Sequence, residues 1–486
     1  MQKAIEKISP GSFVPSDHWY PKALNAQIHP LVNFFMNMSH DQIITRYCYL
    51  NPRVDKHVLK SLLTYKTRYF RWAGTDLMHA TTPRGQDRMV VIETNSCPSG
   101  QKSFPLLDDH EEQGGYYRLL TDVFFPQLKK HRASGVLAVF YDKNYMENAG
   151  YAGVLADLTG EEIYLVPDYN EAHDHIRTKD QKFHINVAGN WLPVRAAFRY
   201  VTQKPWNRIP IYTKTLLLNP IICCLAGGRN KLLAAKAYDM FNAELLESSL
   251  AIRTPTTIWN VSKKEIPLWL EQFRYKAVVK MPYSNAGQGV YVITNKRELD
   301  KFMEREFEYE QFIIQQLIGH PKWSTSYKRK MYFQVGTVPN KRDEIYVFDV
   351  RLMVANTTGG FSPIATYSRR TRAPLVSKLT NRTNGLSDKT VHRITPDDIL
   401  ITNLSYKDDN GEWGTDTSRL MLMDRRDFNK LGLSLDDLIS GYIQTVMAVI
   451  AIDKMAEKLI SKKGTLKRKL YKSLVGDNVL LDEIMK

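Results

Sequence analysis

The chain has 486 residues, of which 43% are hydrophobic, 24% are charged and 11% are aromatic, and its formal net charge is +16. This composition excludes a disordered chain, and the length predicts two or three domains. Its 4 cysteines lack metal-ligand spacing and exclude a disulfide framework. The apolar run at 216–225 contains Asn219 and Pro220 and is too short to cross a membrane. Because residues 1–6 do not resemble a signal peptide, we expect a cytoplasmic protein that does not bind membranes.

The excess of positive charge is partly local. Cations crowd the C-terminal region at Lys458, Lys462, Lys463, Lys467, Arg468, Lys469 and Lys472. They form either a solvated helix face or a docking surface for an acidic carrier protein or peptide. Nucleic acid is disfavoured, because aromatic residues do not interleave with these cations as a single-strand binding surface requires.

In the first half of the sequence, strand patterns alternate with helix patterns. The predicted elements are strands at 71–78 and 88–93, a helix at 113–128, a strand at 135–141, a helix at 151–158 and a strand at 162–166. The last three elements predict a βαβ unit.

In the second half, strands are followed by a helical C-terminus. The predicted elements are a helix at 232–246, strands at 276–280 and 289–293, an edge-like strand at 312–318, a hairpin of 346–355 with 361–368, and helices from 436 onward.

A lysine and a small-residue loop lie between the strands at 276–280 and 289–293. Lys280 ends the first strand, and Asn285, Gly287, Gln288 and Gly289 belong to the loop. Small residues let backbone N–H groups approach phosphate oxygens, and the lysine neutralises their charge. The loop is not a Walker loop, because a strand rather than a helix follows it. An ordinary glycine hairpin remains an equal alternative for this loop alone.

The strand at 312–318 is a candidate adenine-binding segment. Gln315, Gln316, Leu317 and Ile318 could offer backbone donors and acceptors to an adenine edge. By itself this strand is weak support for a nucleotide site.

The strand at 88–93 and the residues just after it carry an acid and an amide that are spaced to bind one cation. Glu93 and Asn95 are two residues apart and project to the same side of a strand. A carboxylate and an amide oxygen suit Mg²⁺, which takes few protein ligands. Asp76 on the preceding strand could supply a second carboxylate. A structurally neutral role is the more frequent reading of such a pair alone.

The hairpin also carries charged residues two positions apart on one side of a strand. Asp349 and Arg351 share one side of a strand, and Arg369 and Arg370 end the next strand. These cations could hold a γ-phosphate during transfer, whereas Asp349 with Arg351 alone would be read as a surface ion pair.

Together these motifs resemble the ATP-grasp superfamily in the circularly permuted arrangement of eukaryotic-type glutathione synthetase. Glu93-Thr94-Asn95 comes first in the chain, as in the permuted branch. The run from Cys224 to Lys231 looks like the entry to the helix that carries the first ATP lysine. The D-x-R at Asp349 is also similar to peptide-tail ligases such as tubulin tyrosine ligase.

The resemblance implies a role for each matching residue. Lys231 and Lys280 would be the two ATP lysines, and residues 287–289 the lid. Residues 315–318 would be the adenine hinge, although Gln315 stands where the family usually has Glu. Arg71 would bind substrate, and Asp76 would be a further metal ligand.

The resemblance also implies the fold. It is an α+β or α/β chain with a permuted ATP-grasp core, a Rossmann-like substrate domain and a helical C-terminus. The expected domains are an N-terminal part of the core with the metal strand (1–132), the substrate domain (133–225), the lid subdomain (226–320), and the catalytic subdomain with basic helices (321–486).

The implied activity is an ATP-dependent carboxylate–amine ligase that uses ATP and Mg²⁺ and forms an amide through an acyl phosphate. Arg351, Arg369, Arg370 and Arg71 would be its catalytic residues. The substrates would be a small-molecule carboxylate and an amine, and the resemblance suggests a homodimer. A phosphotransferase acting on an anionic small molecule and a basic binding module remain the alternatives.

Overall fold

The computed structural model describes residues 4–108, 110–167, 175–202, 208–284, 289–320, 331–376, 394–407 and 413–485. Within these ranges the strands form three large sheets and one small one. The strands are β1 (Glu6–Ile8), β2 (Trp72–Thr81), β3 (Asp87–Ser96), β4 (Val136–Tyr141), β5 (Ile163–Pro167), β6 (Ile176–Lys179), β7 (Lys182–Val187), β8 (Asn190–Tyr200), β9 (Leu216–Leu218), β10 (Thr257–Ser262), β11 (Ala277–Lys280), β12 (Val290–Ile293), β13 (Gln311–Gln316), β14 (Phe333–Gln334), β15 (Phe348–Thr357), β16 (Gly360–Arg370), β17 (Ser405–Lys407), β18 (Trp413–Thr415) and β19 (Leu420–Met421).

Helices surround the sheets and fill the C-terminal region. The α-helices are α1 (Pro21–Leu24), α2 (Pro30–Met36), α3 (His40–Leu50), α4 (Lys56–Leu63), α5 (Gly114–Leu119), α6 (Phe125–Lys130), α7 (Tyr145–Thr159), α8 (Lys231–Glu244), α9 (Ile266–Gln272), α10 (Lys296–Met303), α11 (Pro396–Leu400), α12 (Phe428–Leu431), α13 (Leu435–Leu459), α14 (Arg468–Val475) and α15 (Asn478–Met485). A π-helical segment joins α5 to α6, which confirms the predicted helix at 113–128 as one helical stretch.

The first sheet has the order β1-β5-β4-β8-β7-β6, with β9 paired to β8. β4 and β5 are parallel and α7 connects them, which confirms the predicted βαβ unit. β8 is also parallel to β4, so the carboxyl ends of both strands lie at one edge of the sheet. Asp142, Lys143 and Asn144 follow β4 at this edge, where α/β sheets commonly bind ligands.

The second sheet is antiparallel, in the order β10-β13-β11-β12. Together with α9 and α10 it has an apolar core of its own. The predicted strands at 276–280 and 289–293 are confirmed as the pair β11 and β12. The prediction of an edge-like strand at 312–318 is wrong, because β13 pairs on both sides and most of its residues are buried. Its partners are distant in sequence, so its own pattern could not reveal its central place.

The third sheet has the order β14-β2-β15-β16-β19, and β3 pairs with β2. The predicted pair at 71–78 and 88–93 is confirmed as β2 and β3. The predicted hairpin is confirmed as β15 and β16, whose last pair, Thr357 with Gly360, leaves a two-residue turn. This sheet carries the three predicted metal ligands and three of the four predicted catalytic arginines.

α13 is the central helix of the main core. It packs against β2, β3, β15 and α8. Its 25 residues are long and apolar enough to cross a membrane by length and composition, but 78% of its most apolar window is buried inside the protein. Its buried Asp453 accepts hydrogen bonds from the backbone N–H groups of Arg68, Tyr69 and Phe70 at 2.9, 2.8 and 2.8 Å. α13 therefore fixes the chain where it enters β2.

The C-terminal helices join the main core to the second sheet. Asp477 Oδ2 accepts hydrogen bonds at 2.8 Å from the backbone N–H groups of Glu310 and Gln311, at the start of β13. Asn230 Nδ2 donates to Tyr471 Oη at 3.3 Å, which links α14 to the start of α8. The cations of the C-terminal region, between 458 and 472, are exposed.

Candidate active site

A cleft of about 1030 Å³ lies where residues of all three large sheets meet. Pockets for small molecules occupy about 300–1,000 Å³, so this cleft can hold a large ligand or two smaller ones. The predicted site residues that line it are Asp76, Glu93, Asn95, Lys231, Lys280, Gly289, Gln315, Gln316, Leu317, Ile318, Arg351 and Arg369. The fold thus brings together most of the residues selected from the sequence.

Other predicted residues do not reach the cleft. Arg71 precedes β2, and its backbone N–H donates to Asn219 Oδ1 at 2.9 Å. Arg370 stacks on the Tyr346 ring, 4.5 Å from its centroid. Neither arginine is among the residues that line the cleft. The predicted lid residues Asn285, Gly287 and Gln288 lie outside the described residues.

Strand register explains why the charged residues meet. Glu93 on β3 faces Asp76 on β2, which faces Arg351 on β15, which faces Tyr367 on β16. Directly opposed side chains on neighbouring strands project from the same face of the sheet. One row across four strands therefore carries two acids, a cation and a phenol into the cleft.

The next row adds the second arginine. Asp349 on β15 faces Arg369 on β16. Arg369 donates from Nε to Asp349 Oδ1 at 2.9 Å, and its Nη2 also lies 3.0 Å from Asp76 Oδ2. Thr402 Oγ1 donates to Asp349 Oδ2 at 2.9 Å. Arg351 and Arg369 are thereby each held by at least one carboxylate.

Asp76 is the centre of this ion-pair network. Arg351 donates to both of its oxygens, from Nε at 2.6 Å and from Nη2 at 2.7 Å. Burial alone would raise the pKa of Asp76, but the charges of Arg351 and Arg369 hold this pKa below its usual range. The carboxylate is therefore ionised, and its oxygens are already engaged by arginines.

A bulge in β3 joins the second and third sheets. Asp76 faces Glu93 and Leu77 faces Val91, so Ile92 is the extra residue. The Ile92 carbonyl accepts a hydrogen bond from Lys280 Nζ at 3.3 Å. Bulges free a backbone group from strand pairing and are frequent beside active sites. Lys280, at the end of β11, thus contacts β3, the predicted metal-binding strand, which lies 188 positions earlier in the sequence.

Lys231 reaches the same place from the first turn of α8. Its Nζ lies 3.5 Å from Glu93 Oε1 and donates to Ser284 Oγ at 3.0 Å. The N-cap is Asn230, whose side chain accepts a hydrogen bond from the Leu233 N–H. The positive end of the helix and two lysines therefore face Glu93, as an anion site requires.

Lys280 is buried, and burial lowers its pKa to about 8. The neighbouring charge of Glu93 raises this pKa, and that of Lys231 lowers it. An anionic ligand near Nζ would stabilise the protonated amine.

Arg229 is a site residue that the sequence reasoning missed. Its Nη1 donates to Asn95 Oδ1 at 2.8 Å, and its Nη2 donates to the Ser96 carbonyl at 2.9 Å. The amide nitrogen of Asn95 is buried and has no hydrogen-bond partner among the residues that the structure describes. Arg229 thereby fixes the orientation of Asn95. Its position two residues before Lys231 was the available signal.

The candidate hinge is held by the second sheet. The Gln316 N–H donates to the Thr256 carbonyl at 2.9 Å, and the Leu317 N–H donates to the Lys276 carbonyl at 3.1 Å. Gln315 Nε2 donates to Thr257 Oγ1 at 3.0 Å. The backbone N–H groups of Gln316 and Leu317 are therefore used within the protein, and the Ile318 carbonyl accepts a hydrogen bond from Gln334 Nε2 at 3.1 Å.

The residues around Glu93 fit a magnesium ion. The described residues contain no group of three or more His, Cys, Asp or Glu side chains that could hold a metal. Mg²⁺ needs no such group, because one or two protein oxygens with water and phosphate complete its shell. Glu93 supplies a carboxylate oxygen, and Asn95 supplies an amide oxygen that keeps a second lone pair beside the hydrogen bond from Arg229. Asp76 fits this role less well, because both of its oxygens bind arginines.

The first sheet adds polar residues to the cleft that sequence reasoning also missed. Lys102, Asp142, Lys143, Asn144 and Tyr200 line the end of the cleft at the carboxyl ends of β4 and β8. The available signal was the Asp-Lys-Asn run directly after a buried parallel strand.

No protein-family model matches the chain, and no curated protein matches it in sequence. Among solved structures, it is similar to a glutathione synthetase-like effector from Globodera pallida in the apo form, with 12% identity, a TM-score of 0.37, and coverage of 71% of this chain and 86% of that chain. It is also similar to a RimK domain ATP-grasp protein from Sphaerobacter thermophilus, with 15% identity, a TM-score of 0.29, and coverage of 51% of this chain and 94% of that chain. Likenesses of this extent leave the functional argument to the geometry of the cleft.

Proposed function

We propose that the chain is an ATP-dependent carboxylate–amine ligase with a circularly permuted ATP-grasp fold. One observation carries the proposal: Lys280 and Lys231 converge on the strand that bears Glu93 and Asn95. Lys280 Nζ lies 3.3 Å from the Ile92 carbonyl, and Lys231 Nζ lies 3.5 Å from Glu93 Oε1. Two phosphate-binding cations and two magnesium-type ligands in one cleft are what a magnesium–nucleotide site needs.

Each group has a proposed role. Lys231 and Lys280 bind the α- and β-phosphates, and Glu93 and Asn95 hold Mg²⁺. The segment 315–318 faces the adenine, and Gly289 borders the phosphates. Magnesium supplies neutralisation of the phosphate charge when it is bound.

The proposed reaction has two steps. A carboxylate oxygen of the substrate bonds to the γ-phosphorus while the bond to the bridging oxygen breaks, which gives ADP and an acyl phosphate. An amine nitrogen then bonds to the acyl carbon, phosphate leaves, and the amine proton is released. Arg351 and Arg369 stabilise the charge on the transferring phosphoryl group. Asp76 orients both arginines.

The test measures ADP and free phosphate with the purified protein, MgATP, and pools of small carboxylic acids and amino acids. A ligase releases both products, and phosphate appears only when carboxylate and amine are present together. A phosphotransferase instead releases ADP without an amine and leaves the phosphate on its product. Absence of ADP under all conditions contradicts both enzymes and favours the binding module.

Glu93→Gln isolates the metal assignment. The amide keeps the size of the side chain but removes the charge that faces Mg²⁺. We expect turnover to fall by about two orders of magnitude or more, because a lost transition-state charge contact costs about 3 kcal/mol. Circular dichroism should show an intact fold. Near-normal turnover would contradict the assignment of Glu93 to the metal.

A further inference from the structure

The end of the cleft beside the first sheet carries an excess of positive charge. We call it the basic pole and define it by Lys102, Lys143, Asn144, Tyr200 and Arg229, all of which line the cleft. It includes the carboxyl edge of β4 and β8. The two ATP lysines and the segment 315–318 belong to other elements, α8 and the second sheet.

Lys143 is the notable cation of the basic pole. In the part of the chain that the structure describes, its amine has no hydrogen-bond or ion-pair partner. Burial, together with the charge of Arg229, lowers its pKa to about 8, so the amine is mostly protonated at pH 7. A half-buried ammonium without a partner costs free energy unless an anion compensates it.

The acids near Lys143 are engaged elsewhere. Asp142 accepts hydrogen bonds from the Thr202 backbone N–H and hydroxyl, and its Oδ2 lies 3.5 Å from Arg208 Nη2. Arg229 donates to Asn95 and to backbone carbonyls. The charges of Asp142 and Glu93 raise the pKa of Lys143, but among the described residues neither carboxylate lies within ion-pair distance of its amine.

The walls of the basic pole are held in place by a buried acid. Glu147 is fully buried, and its Oε1 accepts hydrogen bonds at 3.0 Å from the N–H groups of Gly100 and Gln101. Its Oε2 accepts one from Asn144 Nδ2 at 2.6 Å. Asn144 has a φ of 62°, a left-handed conformation that asparagine tolerates better than most residues. The site is thus built and charged before any ligand binds.

Lys102 completes the pole. Its amine donates to Asn144 Oδ1 and lies 5.0 Å from the centroid of the Tyr20 ring. Two lysines and two polar side chains around one end of the cleft suit a compact anion such as a carboxylate.

We propose that the basic pole binds a second anionic group of the carboxylate substrate, so that the substrate class is small dicarboxylic acids. One carboxylate is activated near Arg351, and the other is held by Lys143. This inference rests on the proposed function, and it adds the chemical class of the carboxylate substrate, which the phosphate site does not determine.

The experiment is a calorimetric titration of the protein saturated with Mg²⁺ and a non-hydrolysable ATP analogue, so that the phosphate site is filled. The probes are the linear dicarboxylates from malonate to adipate and their half-amides, which lack one charge. We expect at least one dicarboxylate to bind about tenfold more tightly than its half-amide, as a charge-assisted hydrogen bond predicts. Lys143→Met should abolish this difference, and Lys143→Arg should retain most of it.

Lys469→Met is the matched control, because Lys469 is an exposed cation outside the cleft. It should leave the titrations unchanged. Equal binding of every dicarboxylate and its half-amide would overturn the proposal, as would a difference that survives in Lys143→Met. If Lys143→Met lowers turnover but not the affinity difference, the lysine has another role and the proposal is also overturned. Failure of the nucleotide analogue itself to bind would instead remove the proposed function and this inference with it.

Discussion

Asp76 binds Arg351 through both of its oxygens and lies 3.0 Å from Arg369. The resemblance suggests a metal ligand at this position, whereas the geometry supports an orienting partner for two arginines. The two roles differ in how activity depends on magnesium. A lost ligand raises the magnesium concentration that is needed, and a misplaced arginine lowers the maximal rate at every magnesium concentration.

We therefore expect Asp76→Asn to lower kcat by about tenfold or more without raising the magnesium concentration for half-maximal activity. The substitution also leaves two buried arginines with one fewer charge, which costs about 3 kcal/mol of stability. Urea unfolding and magnesium titrations measure the two effects. Asp349→Asn makes the same change in the adjacent row of the sheet and is the control for both measurements. A magnesium requirement that rises only for Asp76→Asn would restore the metal role.

Lys280 makes nucleotide binding depend on pH. Its pKa in the free protein is lowered to about 8 by burial, so about half of the amine is deprotonated at that pH and most of it at higher pH. A phosphate beside Nζ raises this pKa, and binding must then take up a proton. This proton uptake is almost absent near pH 7, where the amine is mostly protonated both in the free protein and in the nucleotide complex. It grows as the pH rises through about 8 to 9.

Calorimetry of the nucleotide analogue in buffers of different ionisation enthalpy measures this uptake. We expect up to about one proton per site at pH 8.5 from Lys280 and almost none at pH 7. Lys280→Arg should remove the proton uptake that comes from Lys280, because an arginine keeps its charge across this pH range. Proton release, or uptake that is equal at both pH values, would contradict the assignment.

At the scale of elements, α13 controls the position of β2. The buried carboxylate of Asp453 accepts three backbone hydrogen bonds from residues 68–70, just before β2 begins. Asp453→Asn replaces one acceptor oxygen with a donor that faces N–H groups. We expect a loss of roughly 2–4 kcal/mol in the free energy of unfolding, measured with urea.

Asp436→Asn makes the same chemical change at the start of α13. Its carboxylate pairs with Arg46 at 2.7 Å, and both side chains are partly exposed. Exposed ion pairs contribute about 1 kcal/mol or less, so this variant should stay close to wild type. Equal losses for the two variants would show that Asp453 does not hold the entry to β2.

Elements with local patterns could be predicted from the sequence. The βαβ unit, the hairpin of β15 and β16, and the pair of β2 and β3 each join neighbouring segments, so their turns and periodicity are visible locally. The central place of β13 could not be predicted, because its partners begin at Thr257 and Ala277 and only pairing over distance reveals them.

The residues of the candidate site divide in the same way, into those with a local pattern and those that depend on distant contacts. Glu93 and Lys280, which line the cleft, could be selected because each belongs to a motif with a physical reason for its residue type, whereas Lys231 was selected through the resemblance alone. The Ile92 bulge arises in the pairing of β3 with β2, and the row that joins Asp76 to Arg351 depends on register between strands some 275 positions apart. Arg229 acts through contacts with Asn95 and the Ser96 carbonyl that its own segment does not reveal. Arg71 and Arg370 carry suitable charges but are not among the residues that line the cleft.

At the scale of the molecule, the candidate nucleotide site lies between two apolar cores. The second sheet has its own core and contributes Lys280 and the segment 315–318, whereas Glu93 and Lys231 belong to elements packed on the main core. A ligand held by both groups of residues adds contacts across the boundary. Binding to the folded state alone then stabilises the whole protein, by about 2.7 kcal/mol at a ligand concentration of 100 times Kd.

We expect the nucleotide analogue with Mg²⁺ to raise Tm by several degrees and to slow hydrogen exchange in β11 and β13, on the opposite side of the boundary from Glu93. Without Mg²⁺ the shift should be smaller, because the charges on the phosphates and Glu93 are then less well neutralised. Glu93→Gln should make the shift nearly independent of Mg²⁺, and Lys469→Met, far from the proposed contacts, should behave as wild type. Protection confined to the main core would contradict a site shared by the two cores, since a nucleotide bound to Lys280 must restrain β11.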